Sequence, residues 1–465
     1  MTSFSRREFL QASLLLGAGA TFGHLPLQSS TRFRRSSLRA PRTAIVLGAG
    51  LSGLSAAWML RRNGWDVVVL EARNRIGGRV WTQTLPENRG LTCEVGGEWV
   101  GASHERIQQM CRAFGITLDD HRFAISLLRD GEVSKPKAWK FSPQAEHAWK
   151  KLANEYSKLT QRGKEDLDKV DWWTCLRERG FNDDDLRLRD LMDSTDFGES
   201  IRFVSAFAAA SEYFESSPNN EMDFRMRGGN SRLVNELARR VGIENIRLNL
   251  PVRAVTQKNG QIWVRAGKDN EYSIRGDACI CTLPGTALRD VQFSPALPSR
   301  QQQAMRELNY ARIIKSPILY EERFWKTNDY SLVSDRTSHY FFHSTKNQAG
   351  KQGVLTSYVI GDKADVLASQ NHRVRRQMIA EDLRVVDERA PELVRGGLTY
   401  AWHRDQLTRG AYALYRPGQW FGLRPILQQP HGKVLFAGEH LADWQGFMEG
   451  AINTGEEAAS MLLGK

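Results

Sequence analysis

Gly48, Gly50 and Gly53 follow one another as Gly-x-Gly-x-x-Gly within "AIVLGAGLSGL", and Glu71 stands 18 residues beyond the last of them. This pattern can hold the pyrophosphate and ribose of a dinucleotide. Gly48 permits the tight turn, Gly50 lets backbone approach phosphate, and Gly53 lets a helix lie close to a strand. A helix N-terminus offers free N–H groups and a positive dipole end to the phosphates. A carboxylate at Glu71 can accept from ribose hydroxyls and disfavours a 2′-phosphate. The chemistry expected is therefore that of a redox dinucleotide.

The elements that must position these residues are legible around them. Ala44 to Leu47 is a short apolar run suited to a buried parallel strand, an amphipathic helix follows with Leu54, Ala57, Trp58 and Leu60 near one face, Gly64 ends it, and Asp66 to Leu70 form a second strand. Strand, helix, strand and acid in register make a βαβ unit. "EARNRIGGRVWT" comes next, with Arg73, Gly77, Gly78 and Arg79, a basic loop with paired glycines that suits a second phosphate and a ribityl chain. It reads equally as a surface turn with a basic rim. "CEVGGEWVGASH" carries Gly96, Gly97, Glu98 and Trp99, where paired glycines would let backbone approach a flat ring.

From these segments onward the sequence resembles the flavin-containing amine oxidases, the family of monoamine, polyamine and L-amino-acid oxidases. "FRMRGGNSRLVNELARRVGIENIRLNLPVRAVTQ" is similar to the family's second FAD segment, with Val252 at the position that meets adenine through backbone. "GDACICTLPGTAL" resembles its return strand, and "GKVLFAGEHLADWQGFMEGAINTGEEAASML" its C-terminal flavin signature. The likeness runs from Thr43 to Leu463 and is weakest over 121–225. It implies an α/β fold: a Rossmann-like FAD-binding domain (43–120, 226–305 and 416–465) with a discontinuous α+β substrate-binding domain (121–225 and 306–415). In the C-terminal signature, Gly438 and Glu439 would end a buried strand and hold ribityl and phosphate oxygens. Gly450 and Ala451 would open a helix whose positive end faces the flavin ring.

The resemblance also implies a substrate pocket. Matching "RGAYALYRPG" and "DWQGFMEGA" to the family places Tyr412 and Phe447 as two upright rings before the flavin, a slot that guides an amine. Lys315, in "ARIIKSPILYEERFW", would hold a water beside the flavin, and Trp402 would line its pocket. Ala411 stands where some relatives bind flavin covalently through cysteine, so FAD is expected to be non-covalent. Glu98 replaces a neutral polar residue. It could attract a cationic substrate together with Asp443, or be a solvated acid. The arginine that clamps a substrate carboxylate in venom-type L-amino-acid oxidases is missing, and Arg106, Arg202, Arg225 and Arg227 remain open as substitutes. The implied reaction is oxidation of a CH–NH2 group to an imine, then a carbonyl and ammonia. Basic L-amino acids such as arginine or lysine, or primary amines, are the expected substrates, and O2 or a quinone the acceptor. A polyamine oxidase is one alternative; a flavin desaturase or porphyrinogen-type oxidase is another.

Composition excludes other classes. The 465 residues carry a formal charge of +12, but residues 1–42 hold seven arginines and one acid, which is half of that excess. Charge so concentrated in a short tail, with no finger, zipper or RNA-binding motif, is not a nucleic-acid interface. The five cysteines form no C-x-x-C pair and no cluster with histidine, so neither a disulfide framework nor a metal site is expected. Cys279 and Cys281 would share one face of a strand and belong to the core. At the N-terminus, "SRREFLQASLLLGAGATFG" reads as a twin-arginine export signal, with 24–42 a basic linker. Its apolar run is shorter than the ~20 residues that span a bilayer. The expectation is export by the twin-arginine machinery to a periplasmic or extracytoplasmic site. An uncleaved basic tail would leave the protein attached peripherally to membrane.

Overall fold

The computed structural model describes residues 42–443 except 270, and 445–465, with the side chain at 89 left aside. The expected export signal and nearly all of the linker lie outside the described residues.

The strand Thr43–Leu47 is followed by the helix Leu51–Arg62 and the parallel strand Asp66–Leu70, in register from Thr43 with Asp66 to Leu47 with Leu70. Gly50 stands in extended conformation before the helix, and the chain leaves it through Asn63 and Gly64, the latter at φ 80°. The five-stranded sheet has the order Val434–Phe436, Ala278–Cys281, Thr43–Leu47, Asp66–Leu70, Ile246–Arg247, every pair parallel. Both faces are covered. Cys279 and Cys281 point into one apolar cluster and Ile280 into the other, as a period of two requires.

The last helix, Met448–Leu463, packs against Leu51–Arg62. Contact is close because Gly455 has no side chain: a Cβ there would sit 2.1 Å from the Ser52 carbonyl oxygen. The helix begins two residues before the expected Gly450, with Phe447 as its N-cap. Methionine and glutamate are good helix formers, so the helix extends back until Gly446, at φ 80°, breaks it.

A second sheet of four strands orders Tyr272–Gly276, Gln261–Ala266, Val252–Lys258 and Gln292–Ser294. The largest sheet has eight strands. Its centre is the antiparallel pair Ile313–Tyr320 and Gly353–Ile360, buried at every residue. All eight fall within 121–225 and 306–415, and all five of the parallel sheet fall outside those ranges. The helices Pro143–Tyr156 and Asp183–Phe197 are formed by polar stretches within 121–225. Ser142 and Asn182 cap them by accepting backbone N–H bonds. Trp172 is fully buried and its indole N–H donates to Asp193 at 2.9 Å, so it is a packing residue.

Candidate active site

One elongated cavity runs from the end of the parallel sheet to the large sheet. Of the expected site residues only Gly53 and Gly450 do not line it. Gly53 serves it indirectly: a Cβ there would lie 2.0 Å from the Gly48 carbonyl oxygen, so its absence lets the helix start against the turn. A Cβ on Gly50 would meet nothing within 4 Å and would project into open space before the helix N-terminus. That space is where a pyrophosphate group fits.

Glu71 is buried at the end of its strand. It accepts from the N–H of Ala49 at 2.9 Å and of Arg73 at 2.8 Å, tying the glycine turn to the next loop. Burial raises its pKa above the ordinary carboxylate range, against those two N–H bonds. Arg73 lines the cavity but commits both amino groups to Asp405, at 2.7 and 2.8 Å. Arg79 is paired with Glu439 and donates to the Ala411 carbonyl oxygen at 2.9 Å. Glu439 also accepts from the N–H of Gly446 at 2.9 Å. Its carboxylate therefore orients Arg79 and the loop before the last helix, and it lines the cavity. Trp402 donates to the Val95 carbonyl oxygen at 2.6 Å and is buried beside the paired glycines.

Beyond these groups the cavity is aromatic and acidic. Tyr412 donates to the Asp196 carbonyl oxygen at 2.7 Å and accepts from the Tyr358 hydroxyl at 2.9 Å. Gly446 carries the chain past the Tyr412 ring, where a Cβ would touch it at 3.4 Å, and leads directly into Phe447. The Phe447 ring meets His104 edge-on at 5.1 Å. Tyr340, Tyr358, Asp196 and Glu212 line the same end. None of these four is marked by motif or spacing. Tyr340 and Tyr358 are cross-strand partners, a pairing that only the fold shows. Burial, with Asp193 adding like charge, lifts the Asp196 carboxyl to about 7 despite a 2.7 Å bond from the Tyr213 hydroxyl.

Lys315 is buried in the wall. Its ammonium donates to Glu98 at 2.7 Å and to the Gly96 carbonyl oxygen at 2.9 Å. The other oxygen of Glu98 lies 3.0 Å from His121 Nε2. Burial pushes Glu98 upward, but the Lys315 charge and the His121 bond outweigh it and hold the carboxyl down at about 2. Glu98 is thus neither a solvated acid nor a free anion awaiting a cation. Asp443 is exposed and paired with Arg424 instead. None of the four arginines left open for a substrate carboxylate lines the cavity: Arg106 pairs with Glu456, Arg225 with Glu94 and Arg227 with Asp119, while Arg202 lies over the Trp173 ring.

A doubly covered parallel sheet, a glycine turn with its ribose acid and a long cavity ending in aromatic rings define a dinucleotide-dependent oxidoreductase. The comparisons give the family: its profile, described as flavin containing amine oxidoreductase, matches residues 51–463, and the chain belongs to that family. It is 28% identical over 457 residues to the flavin-containing amine oxidase A of Canis lupus familiaris, covering 90% of this chain and 84% of that protein. It is 25% identical over 452 residues to the L-amino-acid oxidase of Vipera ammodytes ammodytes, covering 90% and 92%. A solved putrescine oxidase with putrescine bound shares the fold, with a TM-score of 0.80 at 23% identity, covering 91% of this chain and 99% of that one.

The protein is accordingly an FAD-dependent oxidoreductase acting on amines or amino acids, and the residues present fit the cofactor. The Trp99 indole N–H and the Gln445 amide oxygen are buried, belong to residues that line the cavity and lack a hydrogen-bond partner among the described residues. Such groups are the kind a bound heterocycle satisfies. No cysteine lines the cavity among the described residues, and Ala411 offers no thiol, consistent with non-covalent FAD.

Proposed function

We propose that this enzyme oxidises the CH–NH2 group of a primary amine that carries a second positive charge, a diamine or polyamine, in preference to an L-amino acid. The observation that carries this reading is the pair of acidic side chains at the aromatic end of the cavity. Asp196 and Glu212 line it, and Lys315, which also lines the cavity, is committed to Glu98. A substrate carboxylate would find two acids there and no unpaired arginine. A substrate cation would find carboxylate and ring faces. Basic amino acids satisfy half of this pattern through their side chains but leave their carboxylate unmatched.

FAD, when bound, supplies the acceptor for the hydride equivalent. Gly48, Gly50 and the helix N-terminus would hold its pyrophosphate, Glu71 its ribose, and Val252 its adenine. The chain's own part in the reaction is positioning and the handling of charge. Tyr412 and Phe447 confine the amine between apolar surfaces. The hydroxyl relay from Tyr358 through Tyr412 to the Asp196 carbonyl fixes one ring in place. Lys315 keeps one N–H for a water or for oxygen in the cavity. We take oxygen as the acceptor, with hydrogen peroxide the product. The two-domain division at 43–120, 226–305 and 416–465 against 121–225 and 306–415 belongs to the same reading, as does export through the N-terminal twin-arginine segment. No described helix is long and apolar enough to cross a membrane.

The test is anaerobic mixing of the flavoprotein with matched pairs: lysine and cadaverine, ornithine and putrescine, and monoamines of the same length. Bleaching of the oxidised flavin by the diamines at least ~10-fold faster than by their amino acids supports the reading, a ratio worth about 1.4 kcal/mol. Faster bleaching by the amino acids sinks it. Peroxide formed on admitting air decides between oxygen and a quinone.

A further inference from the structure

Glu98, in the cavity wall, faces a side-chain nitrogen with each of its two oxygens. Its carboxylate joins Lys315 at 2.7 Å to His121 at 3.0 Å, and all three side chains are at most 4% exposed. The groups packed around them balance. Arg225 is paired with Glu94 at 3.2 Å, and Cys93 and Tyr340 are near and un-ionised, each raised by burial. Burial also keeps His121 below its ordinary value, against its bond to Glu98 and assisted by Arg225 and Lys346. It is therefore neutral at pH 7, and its Nε2–H donates to Glu98. Lys315 also lies 5.6 Å from the centre of the Phe342 ring. Two of its three N–H donors are spent on Glu98 and the Gly96 carbonyl oxygen.

We propose that Glu98 is a positioning residue that holds Lys315 as a fixed, charged donor, so that Lys315 presents one N–H and a standing positive charge to the cavity and does not serve as a base. The physical argument is one of compensation. A buried ammonium without a counter-charge favours its neutral form. Glu98 supplies that charge at hydrogen-bonding distance, His121 supports it from the far side, and the Gly96 carbonyl fixes the direction of the remaining N–H. The inference rests on the proposed function for its meaning in amine oxidation, but the ion pair can be tested without any amine.

The test uses the holoenzyme, Glu98→Gln, Glu98→Asp and Lys315→Met, with potentials measured by dithionite titration from pH 6 to 10. A fixed cation beside the flavin raises its potential at every pH. Wild type should therefore show no break in potential against pH that Lys315→Met lacks, and Lys315→Met should lie lower throughout. Glu98→Gln should acquire a new break in the neutral-to-alkaline range, where Lys315 releases its proton. Glu98→Asp should move back toward wild type. Reductive methylation read by peptide mass gives a second measure, with Lys315 labelled several-fold faster at pH 8 in Glu98→Gln than in wild type. A wild-type break that vanishes in Lys315→Met overturns the proposal, as does a Glu98→Gln variant identical to wild type in both measurements. Absence of bleaching by every amine would count against the proposed function and leave these readouts intact.

Discussion

Arg73 and Asp405, 332 positions apart in the chain, meet as a two-point ion pair at 2.7 and 2.8 Å. The pair ties the loop after the ribose acid to the turn after Trp402, because Asp405 also accepts from the N–H groups of Leu407 and Thr408 at 2.9 Å. Both partners are mostly buried.

Removing the charge from Asp405 should therefore cost stability. Asp405→Asn is expected to lower Tm by about 5 °C at pH 7, in line with breaking a mostly buried pair. Burial raises the Asp405 carboxyl, but the bonds from Arg73 and Tyr400 outweigh it and hold it below its ordinary 3.8. The stabilisation is present above that value and lost as pH falls below it. The gap between wild type and Asp405→Asn should thus hold above about pH 4 and narrow progressively as the melts are taken more acid than that. A gap that widens on acidification would refute the assignment.

The glycines of the opening turn should separate into two behaviours. Gly53→Ala places a Cβ 2.0 Å from the Gly48 carbonyl oxygen and should lower both Tm and soluble yield. A Cβ at Gly50 meets no protein atom within 4 Å, so Gly50→Ala should leave the circular-dichroism spectrum unchanged, and Gly50→Val should purify with less than about a tenth of the flavin, since its side chain fills the phosphate cradle. Full flavin content in Gly50→Val would mean that the cradle is misplaced.

Tyr412 acts through its ring and through its place in the relay. Tyr412→Ala should slow flavin reduction by the best amine on the order of 100-fold in stopped flow, the scale expected when a positioned substrate loses its orienting surface. Tyr412→Phe keeps the ring but gives up the bonds to Asp196 and Tyr358, and should lose less than about 10-fold. Equal losses in both would show that the hydroxyl matters more than the ring face.

Asp196 predicts a pH effect of opposite sign to that of Asp405. Its folded carboxyl stands at about 7 and its ordinary value is 3.8. Between these values the folded protein holds a proton that the unfolded chain has released, so stability falls as pH rises through the window. Asp196→Asn should remove that slope, matching wild type near pH 4 and melting a few degrees higher at pH 8. The same variant should raise KM for a diamine at pH 8 by about 10-fold with little change for a monoamine of equal length.

The cofactor end was readable because its determinants are local. Backbone approach, helix start and ribose acid all lie within 48–71, and each needs a particular residue type at a particular offset. The substrate end was readable only in part. Tyr412, Phe447 and Lys315 came from resemblance and do line the cavity, but Asp196, Glu212, Tyr340 and Tyr358 sit on a helix or strand with nothing in their spacing to distinguish them from core or surface. Glu98 was visible as an unusual acid, yet its role was misread as exposed or substrate-facing. A carboxylate's behaviour depends on its partner, and Lys315 is 217 residues away.

By itself, the sequence determined the βαβ unit, the doubly covered sheet, the dinucleotide and the flavin family, because these rest on short-range periodicity and on glycines that no other residue replaces. Only the tertiary structure decided the charge of the pocket. It set Arg73, Arg79, Lys315 and Glu98 in ion pairs and placed Asp196 and Glu212 in the cavity wall. Which charges survive burial is set by distances between segments far apart in the chain, and electrostatic energy follows distance in space.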